Sequence, residues 1–350
     1  MKHTKIQWCH STVNPVMGCD GCELWKPASA IRTVLLKLLL GQTSWPERTL
    51  RQQLADVLGD RTTSDIYRDR ERVAAEVVHR LGGNAEMGLM LIDTIRRECK
   101  CYAGLLGTFR AGHSGYADTF ESPKLYPGRV EKAADWRAPA LDEVDGKRWL
   151  RNLPRLIFIS DMGDALSGDV PFDYLRQEII SNVRSEAGCG HLWLWLSKRP
   201  QRMADFGAWL LKQDEDWPEN LVSMTTVTEQ KFARRVDDLR RVPSTSKGLS
   251  LEPLFEPVDL NLTGIDWVIV GGGSDVLAKP FHVEWALQIR EQCRAAGVAF
   301  FLKQLGKHSS YEGRALQLEN THGGDWGEWP KEWRVREFPE AFYQHVGRNV

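Results

Sequence analysis

The chain has 350 residues, 42% of them hydrophobic and 27% charged, which places it among globular proteins with ample material for a core. Its length allows one large domain or two ordinary ones. A formal net charge of −1 excludes a global field steering the protein to nucleic acid or an anionic membrane, so any such contact must come from a local patch.

At the N-terminus Lys2, His3 and Lys5 are followed by polar residues and not by the apolar run of a signal peptide. The longest apolar stretch, Val34–Leu40, is interrupted by Lys37 and is too short to span a bilayer. No membrane association and a cytoplasmic location are the expectation. A first strand is expected near Ser11–Met17. Residues 27–98 then follow helical periodicity (IRTVLLKLLL, LRQQLADVL, DRERVAAEVVHRL, MGLMLIDTIRREC), with turn signals at Gly41, Gly59-Asp60 and Gly82-Gly83-Asn84. They read as a helical insertion. Residues 102–150 are less regular and rich in Gly, Pro and aromatics.

From Arg155 onward the pattern is rhythmic. Apolar runs at Arg155–Ser160, Leu192–Leu196, Leu221–Val227, Gly248–Leu251, Trp267–Val270 and Val298–Lys303 predict strands. Helical patterns at Phe172–Arg184, Pro200–Leu211, Glu229–Arg240 and Val283–Ala296 alternate with them. Strands that are apolar throughout and alternate with helices argue for a parallel sheet covered on both faces. The fold class expected is α/β, a full or partial parallel β/α barrel like a TIM barrel, with an open doubly wound sheet as the runner-up. One such domain would span 1–350, with the insertion at 27–98. The Trp-rich segment GDWGEWPKEWRVREFP lies within an irregular C-terminal cap over 307–350.

The predicted strand ends are polar: Ser160-Asp161-Met162-Gly163-Asp164, Ser197-Lys198-Arg199, Thr228-Glu229-Gln230, Glu252-Pro253, Gly271-Gly272-Gly273-Ser274 and Lys303-Gln304. Solvent accounts for any one polar loop. Six ends pointing to one rim, with charges of both signs and a glycine run, read as a ligand-binding mouth. The glycine run lacks the Lys-Ser/Thr of a nucleoside-triphosphate loop and is not GxGxxG. Its content is permissive, since glycine lets backbone N–H groups approach a ligand closely.

The seven cysteines are 9, 19, 22, 99, 101, 189 and 293, an odd number that does not suggest a disulfide framework. Cys189 and Cys293 read as small hydrophobes. The pairs 19/22 and 99/101 point to metal chemistry, because thiolates close in sequence repel or react unless something binds them. Zinc would take all four as a tetrahedron, although Cys-x-Cys is a poor chelate for one ion. Cys-x2-Cys plus one distant cysteine suits a three-thiolate iron–sulfur cluster with an open iron.

The segment TKIQWCHSTVNPVMGC, residues 4–19, resembles the start of a phage-associated protein family, a phage gp-type radical-SAM-like family of unknown function. Members open with T-x-I-x-W…N-P-x-x-G-C, followed shortly by G-C-x-x-C-Y-A. The resemblance continues in SDMGD at 160–164, LSKRPQRM at 196–203, TVTEQ at 226–230 and LSLEPLFEPVDL at 249–260. It runs on through IDWVIVGGGS at 265–274, AGVAFFLKQLG at 296–306 and the closing Trp-rich phrase. What it implies is a radical-SAM-type barrel in which Cys19, Cys22 and Cys101 hold a [4Fe-4S] cluster. Cys101 is preferred to Cys99 because Tyr102-Ala103 follows it, as in the family's C-Y-A. S-adenosylmethionine would bind the fourth iron, and its reductive cleavage would give a 5′-deoxyadenosyl radical that abstracts a hydrogen atom from substrate. The sequence departs from the pattern in placing 78 residues between the second and third of these cysteines. That is tolerable if the ends of the insertion lie together, because closure entropy grows only logarithmically with loop length.

On the same resemblance, the rim residues expected to carry chemistry are Asp161, Glu252 and Lys303. Ser197, Glu229, Gly271, Gly272 and Gly273 are expected to contact the cofactor, with Asp164, Lys198 and Arg199 as further candidates. Relatives that modify or repair nucleic acid make a nucleic acid or nucleotide the expected substrate, and a protein partner encoded nearby is a further expectation. The basic clusters KRPQR, KFARR and RR lie among acidic neighbours, so a solvated helix face explains them first. Of the fourteen tryptophans most read as packing, not as base-stacking platforms. The alternatives are a non-catalytic zinc or iron–sulfur interaction module of a phage or defence system, and a different α/β enzyme with structural cysteines.

Overall fold

A computed structural model of the chain describes residues 3–140, 144, 146–275 and 278–346; the last four residues of the expected C-terminal cap lie outside them. The chain divides into two compact units, one of Met1–Pro15 with Leu125–Val350 and one of Val16–Lys124.

The first unit is built on seven parallel strands: β1 (Ser11–Val13), β2 (Leu156–Ile159), β3 (Leu192–Ser197), β4 (Leu221–Thr226), β5 (Lys247–Leu251), β6 (Trp267–Gly271) and β7 (Ala299–Gln304). They lie in the sheet in the order of the chain. That order separates the two expectations. A doubly wound sheet reverses direction at a switch point, whereas here each new strand is added to the same edge and the sheet curls into a partial parallel β/α barrel.

Register explains the curled interior. Phe158 pairs with Leu194, Leu194 with Val222, Met224 with Gly248, Gly248 with Trp267, and Ile269 with Phe301. In parallel pairs these partners share a face. The residues on that face, Leu156, Phe158, Leu192, Leu194, Val222, Met224, Trp267, Ile269 and Phe301, form one buried cluster. Trp8 and Cys9 from the N-terminal segment, Val144, Leu150 and Leu153 from the stretch before β2, and Phe338 and Phe342 from the C-terminal segment complete it. The two ends of the chain thus fill part of the interior. Each large side chain so buried contributes roughly 1.5–3 kcal/mol.

The Trp-rich segment has a definite task. Leu302 donates its N–H to Val335 O at 2.9 Å, and Glu337 donates to Phe300 O at 2.9 Å, so residues 335–337 run antiparallel along the free edge of β7. An exposed edge strand invites aggregation, and this segment covers it. Arg336 locks it there. Its guanidinium lies 3.9 Å over Trp149 and 4.9 Å over Trp326, and donates to Leu302 O at 3.1 Å and Lys303 O at 2.9 Å.

Several boundaries differ from the periodic reading. The expected strand Ser11–Met17 stops at Val13, and Asn14-Pro15 separates it from the extended pair Val16–Met17 because proline has no N–H to donate to a ladder. The expected helix over 172–184 carries a π-helical segment at Arg176–Ile180. The one over 229–240 is a 3₁₀ turn, Gln230–Phe232, followed by a helix over Arg235–Arg240.

The second unit is helical: α1 (Ala28–Gln42), α2 (Glu47–Leu58), α3 (Thr63–Arg68), α4 (Arg70–Leu81), α5 (Ala85–Glu98) and α6 (Tyr102–Arg110). Buried residues recur at helical spacing, as Ile31, Leu35 and Leu39 in α1 and Val73, Val77 and Leu81 in α4. Thr62 and Asp65 form a reciprocal capping box at α3, and Asn84 accepts the Met87 N–H at α5. Among the described residues no helix is long and apolar enough to cross a membrane.

Candidate functional site

The cysteine pairs lie in the helical unit, and its backbone brings them together. Gly18 at φ +93° and Gly21 at φ +105° flank Cys19 and supply two turns that other residues rarely adopt. At Gly18 a Cβ would stand 2.6 Å from Phe120 O, the same carbonyl that accepts the Cys19 N–H at 2.7 Å. Cys22 and Trp25 then exchange both backbone hydrogen bonds, at 2.9 and 3.1 Å. Within that turn the Leu24 N–H donates to Cys22 Sγ at 3.4 Å.

The second pair arrives on the same turn. Lys100 and Cys101 both donate N–H to Leu24 O, at 2.7 and 2.8 Å, and Trp25 is bridged antiparallel to Cys99. Lys26 donates to Glu98 O at 3.3 Å, and their side chains form an ion pair at 2.6 Å. The chain thus leaves for the helical insertion at residue 26 and returns at 98 beside its point of departure. The loop is long in sequence and closed in space.

The four thiols differ in chemistry. Cys101 is the N-cap of α6 and is half-buried. Cys22 is half-buried and its sulfur accepts an N–H. Cys19 is buried. Cys99 is 2% exposed; burial pushes its thiol well up, and the nearby Glu121, Glu98 and Cys101 add to the shift, so it stays protonated. Cys19 and Cys99 are thus buried, whereas Cys22 and Cys101 are half-buried. Among the described residues no group of three or more His, Cys, Asp or Glu side chains converges to hold a single metal ion.

The strand-end residues belong to the half-barrel, and a hydrogen-bond inventory sorts them. Asp164 is a structural hub. Both its oxygens accept from Ser197 Oγ at 2.9 Å, one also from Arg199 at 2.6 Å and the other from the Leu166 N–H at 3.0 Å. The Lys198 N–H points at the same carboxylate, at 3.4 Å. Asp164, Ser197 and Arg199 thus lock the loop after β2 to the end of β3.

Glu229 is engaged by Lys231 and, at 3.5 Å, by Lys279. Burial pulls its carboxyl up, but the hydrogen bond and charge of Lys231, with Lys279 behind it, hold it below the usual range. Glu252 and Lys303 form an ion pair, both side chains less than one-fifth exposed. They reach toward each other across β6, and Gly271 leaves the space: a Cβ there would lie 3.5 Å from Glu252 Cγ and 3.3 Å from Gln304 Cγ. Gly272 is required for a different reason, since its Cβ would fall 2.3 Å from Leu305 O. Its N–H goes to Gln304 O at 3.1 Å, and Gly273 O accepts the Lys307 N–H at 2.8 Å. The glycine run spends these groups on the chain's own turn.

Asp161 is the least conventional carboxylate of this end. Burial raises its pKa, against the hydrogen bonds from Asn14 and Thr12. Asn14 Nδ2 donates to Asp161 Oδ1 at 2.5 Å, while Asn14 Oδ1 accepts the Met162 N–H at 2.9 Å. That second bond fixes which way the amide faces. The preceding Ser160 has φ +75°, an unusual backbone for a residue with a Cβ, and its buried Oγ has no hydrogen-bond partner among the described residues. Asn14 and Ser160 are the residues that strand-end reasoning undervalued. Asn14 was legible as the Asn of the Asn-Pro phrase ending the first strand.

A surface depression of about 710 Å³, lined by Arg184, Cys189, Trp217, Asn220 and Thr245 among others, lies at the opposite end of the sheet, where β3, β4 and β5 begin. It is remote from the strand ends just described.

A family model described as a protein of unknown function, DUF5131, matches residues 93–338. That is more than half of the chain, and the chain belongs to this family. The match takes in Cys99, Cys101 and every strand after the first, and begins beyond Cys19 and Cys22. No curated protein and no solved structure matches.

Proposed function

We propose that this DUF5131 protein is an iron–sulfur enzyme of the radical S-adenosylmethionine type, with Cys19, Cys22 and Cys101 as the cluster thiolates. The observation that carries the reading is the meeting of the two cysteine pairs on one backbone turn, where Leu24 O accepts both the Lys100 and Cys101 N–H groups. A reduced cluster of this kind, when bound, supplies the electron that cleaves S-adenosylmethionine.

The chain's own residues do the rest. Gly18 and Gly21 fix the path that presents Cys19 and Cys22. The Leu24 N–H donates to the Cys22 sulfur, and Cys101 stands at the N-terminus of α6. In the half-barrel Asn14 orients Asp161, which burial keeps suited to carrying a proton. The paired Glu252 and Lys303 offer a carboxylate and an ammonium for polar groups of a ligand. A nucleic acid or nucleotide is the substrate class we propose, on the sequence resemblance alone.

Anaerobic reconstitution followed by iron, sulfide and zinc analysis tests the reading. About four irons per chain, with reductive release of 5′-deoxyadenosine from S-adenosylmethionine, is the expected result. Tight zinc with no cleavage would overturn it in favour of a non-catalytic interaction module.

A further inference from the structure

The depression where β3, β4 and β5 begin holds charge that the fold does not use. Four carboxylates line it, those of Asp214, Glu215, Asp216 and Glu219, against one guanidinium, that of Arg184. Arg176 and Arg184 both pair with Glu215, and Arg184 also donates to Asp216 O. The carboxylates of Asp214 and Asp216, both exposed residues, make no ion pair or hydrogen bond among the described residues. Bordering charges do not cancel this excess. Lys212 and Glu186 are exposed and opposite in sign. Arg241 is held by Asp205 and Asp238, the Lys247 ammonium donates to Ser244 O, and His345 Nε2 lies 2.9 Å from Cys189 O.

The local backbone adds to the negative field. The helix Pro200–Leu211 ends at this rim with no basic residue in its last turn, and Asp214, Glu215 and Asp216 follow directly. Lys212 is the one basic residue between 203 and 230. A helix C-terminus carries partial negative charge, so carboxylates there are unfavourable and a cation is favoured.

Three observations select the kind of cation. Among the described residues no three of these carboxylates converge to hold a metal ion, so the charge is spread along the lining. The lining is also partly apolar and preformed. Leu211 is 51% exposed, and Trp217 is fixed by stacking on Trp195 at 5.8 Å and by donating Nε1–H to Leu221 O at 2.9 Å. Finally, the volume of about 710 Å³ suits a small molecule. Leu211 is the only large, exposed apolar side chain on the lining among the described residues, too little for the ~800 Å² that a stable protein interface takes from each partner.

We propose that this depression binds a linear aliphatic polyamine. Its ammonium groups meet the carboxylates of Asp214 and Asp216, and its methylene stem lies on Leu211 and Trp217. A bare metal ion would answer the charge and leave the apolar wall unused. No cluster enters this assignment, which goes beyond the iron–sulfur reading and stands or falls separately from it.

The test titrates spermidine into the full-length protein without iron, by calorimetry. One site is expected, with binding that weakens as salt rises. Asp214→Asn and Asp216→Asn should each weaken it about fivefold, the worth of one charge pair across water. Asparagine tolerates the left-handed backbone of residue 214, at φ +56°, so a loss there is not a folding defect. Leu211→Gln should weaken binding about threefold through lost apolar contact and leave its salt dependence unchanged. Magnesium chloride should displace spermidine no better than sodium chloride of the same ionic strength. Absence of binding, or several weak sites that none of the three variants alters, would overturn the proposal. Preferential displacement by magnesium, with Leu211→Gln binding as the wild type does, would overturn it too and reduce the depression to an acidic patch.

Discussion

The half-barrel and the helical unit treat their polar groups in opposite ways. In the half-barrel most charged residues at the strand ends are spent on the fold: Asp164 takes Ser197 and Arg199, Glu229 takes Lys231 and Lys279, and the glycine run turns its backbone groups inward. In the helical unit backbone hydrogen bonds tie the segment of Cys22 to that of Cys101, and both residues are half-buried. A polar residue at a strand end is thus weak evidence of a ligand until its partners have been counted. By that count Asp161, with its orienting Asn14 and the partnerless hydroxyl of Ser160, stands apart from Asp164 three residues later.

The contrast can be broken from the half-barrel side. Arg336→Met should have the largest effect on stability. It strands the Leu302 and Lys303 carbonyls and removes the cation from its aromatic cage, costing about 3 kcal/mol in urea denaturation. An unchanged midpoint would show that the C-terminal segment does not hold the free edge of β7. Gly272→Ala comes next, at about 2 kcal/mol, because the added carbon meets backbone at Leu305 and backbone cannot rotate away.

Gly104→Ala puts the corresponding strain into the helical unit, where the obstacle is the Trp25 ring. Its cost should be smaller, about 1 kcal/mol, since a side chain can shift. Hydrogen exchange should place the loss in residues 16–124, and equal loss throughout the half-barrel would contradict the division into two compact units.

The smallest effect is a pH dependence. The folded pKa of Asp161 is raised above its ordinary 3.8, so the native state holds this proton more tightly than the unfolded chain. The stability this contributes is full below 3.8 and is lost as pH rises through the folded value. Asp161→Asn keeps an acceptor for Asn14 Nδ2 and cannot titrate. Relative to the wild type it should gain stability as pH rises through that window, and a constant difference would remove Asp161 as a proton-carrying group.

Much of the fold was legible in the sequence. Helices at Pro200–Leu211 and Val283–Ala296 fall where periodicity places them, because an apolar face at helical spacing is a local signal. The six strands after the first follow their apolar runs to within one residue for the same reason. Their order in the sheet was not legible, since periodicity says nothing of which strands pair. Nor was the π-helical segment at Arg176–Ile180. In the site, four cysteines in two pairs could be seen, but not that Trp25 pairs with Cys99 while Leu24 holds Cys101. Those contacts join segments separated by the whole insertion. The difference in burial between Cys99 and half-buried Cys101 is likewise something spacing does not reveal.

The most direct test of the three-thiolate site is the iron and sulfide content of Cys101→Ala and Cys99→Ala after anaerobic reconstitution, measured beside the wild type. We predict that Cys101→Ala loses the cluster and that Cys99→Ala retains it in full. Equal loss in the two variants, or retention by Cys101→Ala, would contradict the assignment of Cys101 as the third ligand.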